Sequence, residues 1–172
     1  MKITSVILYL CCVIVMSCGD DKKSTTEIET TEQNKKITAK TIENIDYNDY
    51  ALSSEAEAVI VTWEKYQELD EQIGYLKRAD FSFFNGDKEL LKKFIGEFKT
   101  QMPEDLRTNP ITSRNAIIET ALLKLNENLT LDNIKRNDKL LAIKALFVAF
   151  SNLNYQINKK LERDIYDKIQ PE

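Results

Sequence analysis

Residues 140–165 read LLAIKALFVAFSNLNYQINKKLERDI. Within them Leu140, Ile143, Phe147, Phe150, Leu153, Ile157, Leu161 and Ile165 recur at steps of three and four, and polar residues fill most of the other positions from Asn152 onward. A period of 3.6 residues gathers such a series onto one stripe, so the stretch predicts a long amphipathic helix starting near Thr130 to Asp132. At 1.5 Å per residue, a helix of roughly 35 residues spans about 53 Å. Asn154 sits beside the stripe among Asn152, Tyr155 and Asn158; it is either buried, where one amide would set helix register, or turned to solvent.

Working toward the N-terminus, the same period recurs three times. Ser54-Glu55-Ala56-Glu57 has capping-box spacing and opens a helix near Ser53 or Ser54. Its face carries Ala56, Val59, Ile60, Trp63, Tyr66, Leu69, Ile73 and Leu76, and it is expected to close at Asn85-Gly86. Asp87 then caps a shorter helix bearing Leu90, Leu91, Phe94, Ile95 and Phe98, which stops before Pro103. Pro110 or Thr112 opens a third helix through Ile117, Ile118, Ala121, Leu122 and Leu125, ending between Asn126 and Asn128. Four amphipathic helices with short connections predict an all-α domain over residues 50–172, folded as an antiparallel four-helix bundle. Four Gly and three Pro are too few for the many tight turns of a sandwich or barrel.

The chain has no histidine. That absence excludes Ser-His-Asp and Cys-His nucleophile systems, the usual zinc ligand sets and the Glu-x-x-His di-iron sites that bundles often host. There is also no Ser-x-x-Lys pair, no glycine-rich phosphate loop and no paired glycines of a dinucleotide fold, so neither cofactor nor metal is expected. Asp70-Glu71, and Glu64 with Glu68, offer carboxylates for acid–base work, but their spacing beside Lys65 reads as a solvated helix face. A net charge of −4, with Lys and Glu interspersed, argues against a nucleic-acid partner, which needs clustered cations.

The N-terminus carries a different signal. Met1-Lys2 is a short positive start, residues 3–16 are apolar apart from Thr4 and Ser5, and Ser17 precedes Cys18. This is a signal-peptide layout, short for a membrane span of roughly 20 residues. Val15-Met16-Ser17-Cys18 resembles the lipobox of bacterial lipoproteins, and Asp20-Asp21 resembles the acidic signals that follow the lipidated cysteine in Bacteroidota. The resemblance implies removal of residues 1–17, acylation of Cys18 with chains such as palmitate, and an outer-membrane address facing the periplasm or the cell surface. Removing 17 residues from 172 leaves 155. Because Cys11 and Cys12 leave with the leader, the mature chain has no disulfide to form, and stability rests on the core. Residues 18–49 are polar, with isolated Ile28, Ile37, Ile42 and Ile45, and read as a flexible tether reaching on the order of 30 Å.

Candidate contact residues follow from two clusters. Phe81, Phe83 and Phe84 near Tyr75 and Arg78 either line an end-of-bundle pocket or plug the bottom of the core. Arg107 and Arg114 flank the loop before the third helix, where they receive an anion or merely confer solubility. The body resembles helical lipoproteins of Bacteroidota and, in fold, four-helix extracytoplasmic sensor domains. Together these features predict a lipid-anchored, non-enzymatic envelope module that contacts a protein or small ligand; the alternative is an enzyme working through carboxylates in an end pocket. Cys18→Ala is expected to release the protein from membrane fractions and abolish lipid labelling; undiminished membrane retention would refute the anchor.

Overall fold

The computed structural model describes residues 36–169. The leader, the lipobox with Cys18, Asp20-Asp21 and the tether up to residue 35 lie outside the described residues. The described chain is all-helical: α1 (Ala39–Glu43), α2 (Ser54–Ile60), α3 (Glu64–Lys77), α4 (Lys88–Thr100), α5 (Asn109–Thr130) and α6 (Arg136–Ile169), with a 3₁₀ turn at Glu104–Leu106. The long C-terminal helix forms as its apolar stripe dictates and packs mainly along α5, with α2 also against it, while α4 lies between α3 and α5. Ile143, Phe147, Phe150, Leu153 and Ile157 of that stripe are buried, whereas Ile165 is 45 % exposed beyond the end of the core. By length and composition α6 would cross a membrane, but 56 % of its most apolar window is buried inside the protein, so its apolar surface is used by the core.

Two expectations need correcting. The helix predicted from Ser53 to Gly86 is broken twice. It first stops after Ile60 and restarts at Glu64. The break swings Trp63 fully into the core, where its Nε1–H donates to the Phe98 carbonyl at 2.7 Å and its ring lies 4.8 Å from that of Phe98. The freed backbone groups find side-chain partners: Gln67 Nε2 donates to the Val61 carbonyl at 2.8 Å, and the Lys65 N–H donates to Gln101 Oε1 at 3.1 Å. A buried indole needs a partner for its N–H, and an uninterrupted helix would not have brought it to that carbonyl. The second stop falls at Lys77, and Ala79 takes the left-handed conformation (φ 64°) that terminates helices, a position at which glycine is the usual residue.

The second correction concerns the tether. Its last part belongs to the body, because Ile37 and Ile42 are buried and α1 packs against α3. Two isoleucines provide enough apolar surface to hold a short segment down, and Thr38 caps α1 by accepting from the Thr41 N–H. The folded unit therefore starts at Lys36 rather than at residue 50.

Between α1 and α2 the chain is extended, and residues 48–53 run beside α6 as a strap. No helix or sheet satisfies the strap's backbone; α6 does so through three side chains on one face. Ser151 Oγ accepts from the Tyr50 N–H (2.8 Å) and donates to the Asn48 carbonyl. Asn154 Nδ2 donates to the Tyr50 carbonyl at 2.9 Å, and its Oδ1 accepts from the Tyr66 hydroxyl at 2.7 Å. Asn158 brackets the next residues, accepting from the Ser53 N–H (2.9 Å) and donating to the Ala51 carbonyl (2.8 Å). Of the two possibilities for Asn154, the buried one holds, at 7 % exposure. Other amides do similar work: Asn126 Nδ2 donates to the Phe84 and Gly86 carbonyls, and Asn128 Nδ2 to that of Asp138.

Asn154→Ala leaves the Tyr66 hydroxyl and the Tyr50 carbonyl without partners, so urea unfolding should show a loss of about 2 kcal/mol or more. Leucine at the same place would replace volume but not the bonds, and is expected to be nearly as damaging. Ala79→Gly, by contrast, removes the left-handed penalty and should raise the unfolding midpoint by about 1 kcal/mol of stability. A glycine variant less stable than the parent would show that the Ala79 methyl packs for more than the backbone loses.

Candidate functional site

The strap forms one wall of a cleft of about 570 Å³. Opposite it stands α3, presenting Tyr66, Gln67, Asp70, Glu71, Ile73 and Lys77, while Glu57 and Ile60 of α2 close one end. Phe147, Phe150 and Asn154 of α6 form the floor. Each position has a local reason. Tyr66, Ile73 and Lys77 lie seven and eleven residues along one face of α3, and Phe147, Phe150 and Asn154 follow the i, i+3, i+7 rule on α6. Tyr66 of α3 stacks on Phe150 of α6 with centroids 5.0 Å apart, and Tyr47, in the extended segment after α1, packs at 5.3 Å from Phe147 of α6. The Tyr66–Phe150 ring pair sets the spacing of α3 and α6 beside the cleft.

At the α1 end, the Lys77 ammonium donates to Asp49 Oδ2 at 2.8 Å and stands 5.9 and 5.8 Å from the Tyr47 and Phe147 ring centroids. The Tyr47 hydroxyl donates to the same Asp49 oxygen at 2.9 Å. Burial opposes ionisation of Asp49, but the bonds from Lys77 and Tyr47 outweigh it and hold the carboxyl below its ordinary range. Lys77 likewise resists the effect of burial because Asp49 stabilises its charge, and its pKa is raised.

Asp70 is in the opposite condition. Burial in the cleft wall raises its pKa, the nearby Asp49 charge adds to that, and Lys77 only partly offsets them. Asp70 and Glu57 line the same cleft as Tyr66, whose hydroxyl pKa is raised first by burial and then by these two charges. Among the described residues neither has a cation within ion-pair distance. No group of three metal-ligating side chains occurs among the described residues.

The contact residues expected from sequence do not come together in one place. Phe84 is fully buried, with Phe83 edge-on to it and to Phe94, which makes the phenylalanine cluster a core plug. Phe81 is partly buried against the same core. Arg78 lies over the Tyr75 ring at 4.7 Å, and the Tyr75 hydroxyl donates to Glu71 at the rim of the cleft (2.8 Å). Arg107 is at the far end of α4, where it donates to the Thr100 and Met102 carbonyls and pairs with Glu104, closing that helix rather than facing a ligand. Arg114, on α5, is half-buried, and its Nε has no hydrogen-bond partner.

Of the carboxylates noted in the sequence, Glu68 pairs with Lys65 on the helix face as expected, whereas Asp70 and Glu71 line the cleft. The residues that sequence reasoning missed are Tyr47, Asp49 and Tyr50. They stand in a stretch without periodicity; the one available signal was its two tyrosines, an unusual density of large aromatics for a solvated tether.

These pKa shifts set the pH dependence of stability. The Asp49–Lys77 pair contributes above the unfolded Asp value of 3.8 and loses its contribution as pH falls through the lower native value. On the alkaline side it persists below 10.5 and fades as pH rises through the higher native Lys77 value. Both side chains are about half exposed, so Asp49→Asn is expected to cost less than about 1 kcal/mol at neutral pH and nothing in strong acid. The Asp70 charge has the reverse sign: it costs stability above its raised native pKa, and the cost disappears as pH falls. Urea midpoints should therefore show Asp70→Asn at least as stable as the parent at neutral pH, with the difference closing in acid.

In comparisons with known proteins, no family model, no curated protein and no solved structure matches this chain.

Proposed function

We propose that this chain is a lipid-anchored envelope protein whose helical body, arranged as an antiparallel four-helix bundle carrying the short α1 and the strap, holds a small ligand in the cleft between strap and α3. The observation that carries this reading is the cleft itself: about 570 Å³, within the range of ligand pockets, walled by aromatic rings and a few polar groups. The lipobox-like segment and its polar continuation support the anchor. The lack of histidine and of any free thiol in the mature chain favours binding over turnover.

A filled cleft gives the test. Ala51 lines the cleft and is exposed, and it is fastened to Asn158 only through its backbone, so Ala51→Trp occupies the space without touching the core. The full chain, extracted from its own membranes in mild detergent, is expected to carry a small molecule detectable by native mass spectrometry, and the Ala51→Trp variant to carry none. Equal loading of the two proteins would overturn this use of the cleft.

One observation favours a second reading, an envelope enzyme working through carboxylates: Asp49 and Asp70 line one cleft with their pKa values displaced in opposite directions. Asp49, however, is tied to Lys77 and Tyr47, which accounts for its low value without chemistry. Turnover of a bound ligand, lost in Asp70→Asn while binding survives, would establish the enzyme.

A further inference from the structure

We propose that the C-terminal half of α6 docks, antiparallel, on the α6 of a second copy of this chain, through an apolar stripe on the side of the helix away from the core. The proposal is independent of what the cleft binds.

The helix carries two stripes, and the fold uses one. Ile143, Phe150 and Ile157 are buried. Leu141, Val148 and Tyr155 each stand two residues before one of them, about 160° round the helix at 3.6 residues per turn, and all three are exposed. The same spacing of seven continues through Glu162 to Ile169, and Tyr166 joins the stripe one turn before its end. Tyr166 and Ile169 are 58 % and 72 % exposed. A repeat of seven is the seam of a supercoiled helix pair, because only at 3.5 residues per turn do such positions keep facing one neighbouring helix. A lipid surface would favour an unbroken apolar face, and Asn152, Lys159 and Glu162 interrupt this one.

Charge sets the direction of the pair. Lys159 and Glu162 lie in the seam itself, about half exposed and bonded to each other. A parallel partner would oppose Lys159 to Lys159 and Glu162 to Glu162. An antiparallel one opposes Lys159 of one copy to Glu162 of the other, twice about the two-fold axis. The same register lays Tyr155 on Tyr166 and sets Ile169 beside Asn152, so the overlap runs from Asn152 to Ile169 and leaves Leu141 outside it. Tyr155 is held ready for contact: its ring lies 5.0 Å from that of Tyr50 on the strap, and the Lys159 ammonium stands 6.0 Å from its centroid. Tyr155, Ile165, Tyr166 and Ile169 are together about half exposed, which offers on the order of 400 Å² of apolar surface per copy. That is toward the low end for a specific interface, so a reversible dimer is expected rather than a permanent one.

Sedimentation of the full chain in density-matched detergent tests this, with a dimer of Kd roughly 10 µM expected. Lys159→Glu and Glu162→Lys should each weaken it about tenfold or more, since each opposes like charges across the axis. An equimolar mixture of these two variants should regain the parental Kd, because the mixed pair restores opposite charges at both places. Tyr166→Ser is expected to weaken the dimer about tenfold, and Leu141→Ser to leave it unchanged. Circular dichroism of each variant checks that the helices persist. A chain that stays monomeric at about 200 µM would overturn the proposal and leave the stripe to a lipid or a different protein. A dimer indifferent to both charge reversals, or one lost in Leu141→Ser but kept in Tyr166→Ser, would overturn it as well.

Discussion

Everything in the site depends on three side chains of one helix. Ser151, Asn154 and Asn158 satisfy the backbone of a strap that no other secondary structure supports. An extended segment laid on a helix would ordinarily lose its hydrogen bonds with water and gain none, a cost of several unsatisfied groups. Here a hydroxyl and two amides, at i, i+3 and i+7 on α6, replace water with directional partners. The Asn154 oxygen also accepts from Tyr66, so strap, α3 and α6 are coupled through a single amide.

Around that coupling, aromatic residues set the spacing. Tyr66 on Phe150, Trp63 beside Tyr66, and Trp63 beside Phe98 form a continuous run of rings from α6 through α3 to α4. Rings are wide and stiff spacers, whereas the buried residues of α5 and α6, which pack along one another, include the small Ala121 and Ala142. A cleft on the strap side is the geometric consequence. The helix break before α3 belongs to the same arrangement, since it is the turn that delivers Trp63 to the Phe98 carbonyl.

The charge pattern in the cleft runs against stability. A partly buried carboxylate without a counter-ion, such as Asp70, makes the folded state less favourable than an amide at the same place would. Several acids elsewhere on the surface are paired in the ordinary way, Glu68 with Lys65, Glu119 with Lys99, Glu162 with Lys159. Groups kept at a cost to folding concentrate at sites where a ligand supplies the missing partner. In this chain the cost falls on the wall of a cleft whose lining includes Tyr47, Tyr66, Phe147 and Phe150.

Periodicity carried the helices. The 3.6-residue repeat of Leu140 to Ile165 marked α6, Asp87 and Pro103 bounded α4, and Pro110 marked the start of α5, because these signals are local: a stripe, a cap, a missing N–H. The absence of histidine, and the stretch before Cys18 that resembles a lipobox, were equally plain in the residues themselves. What the tertiary structure alone decided was where the first helix breaks, that residues 36–53 join the body, and that Tyr47, Asp49 and Tyr50 meet Asp70 and Phe150. Those outcomes turn on partners 35 to 105 positions away: Phe98 and Gln101 for the break, Ser151, Asn154 and Asn158 for the strap. A repeat within one segment tells which face is apolar, but a hydrogen bond to a distant side chain leaves no period in the segment it holds.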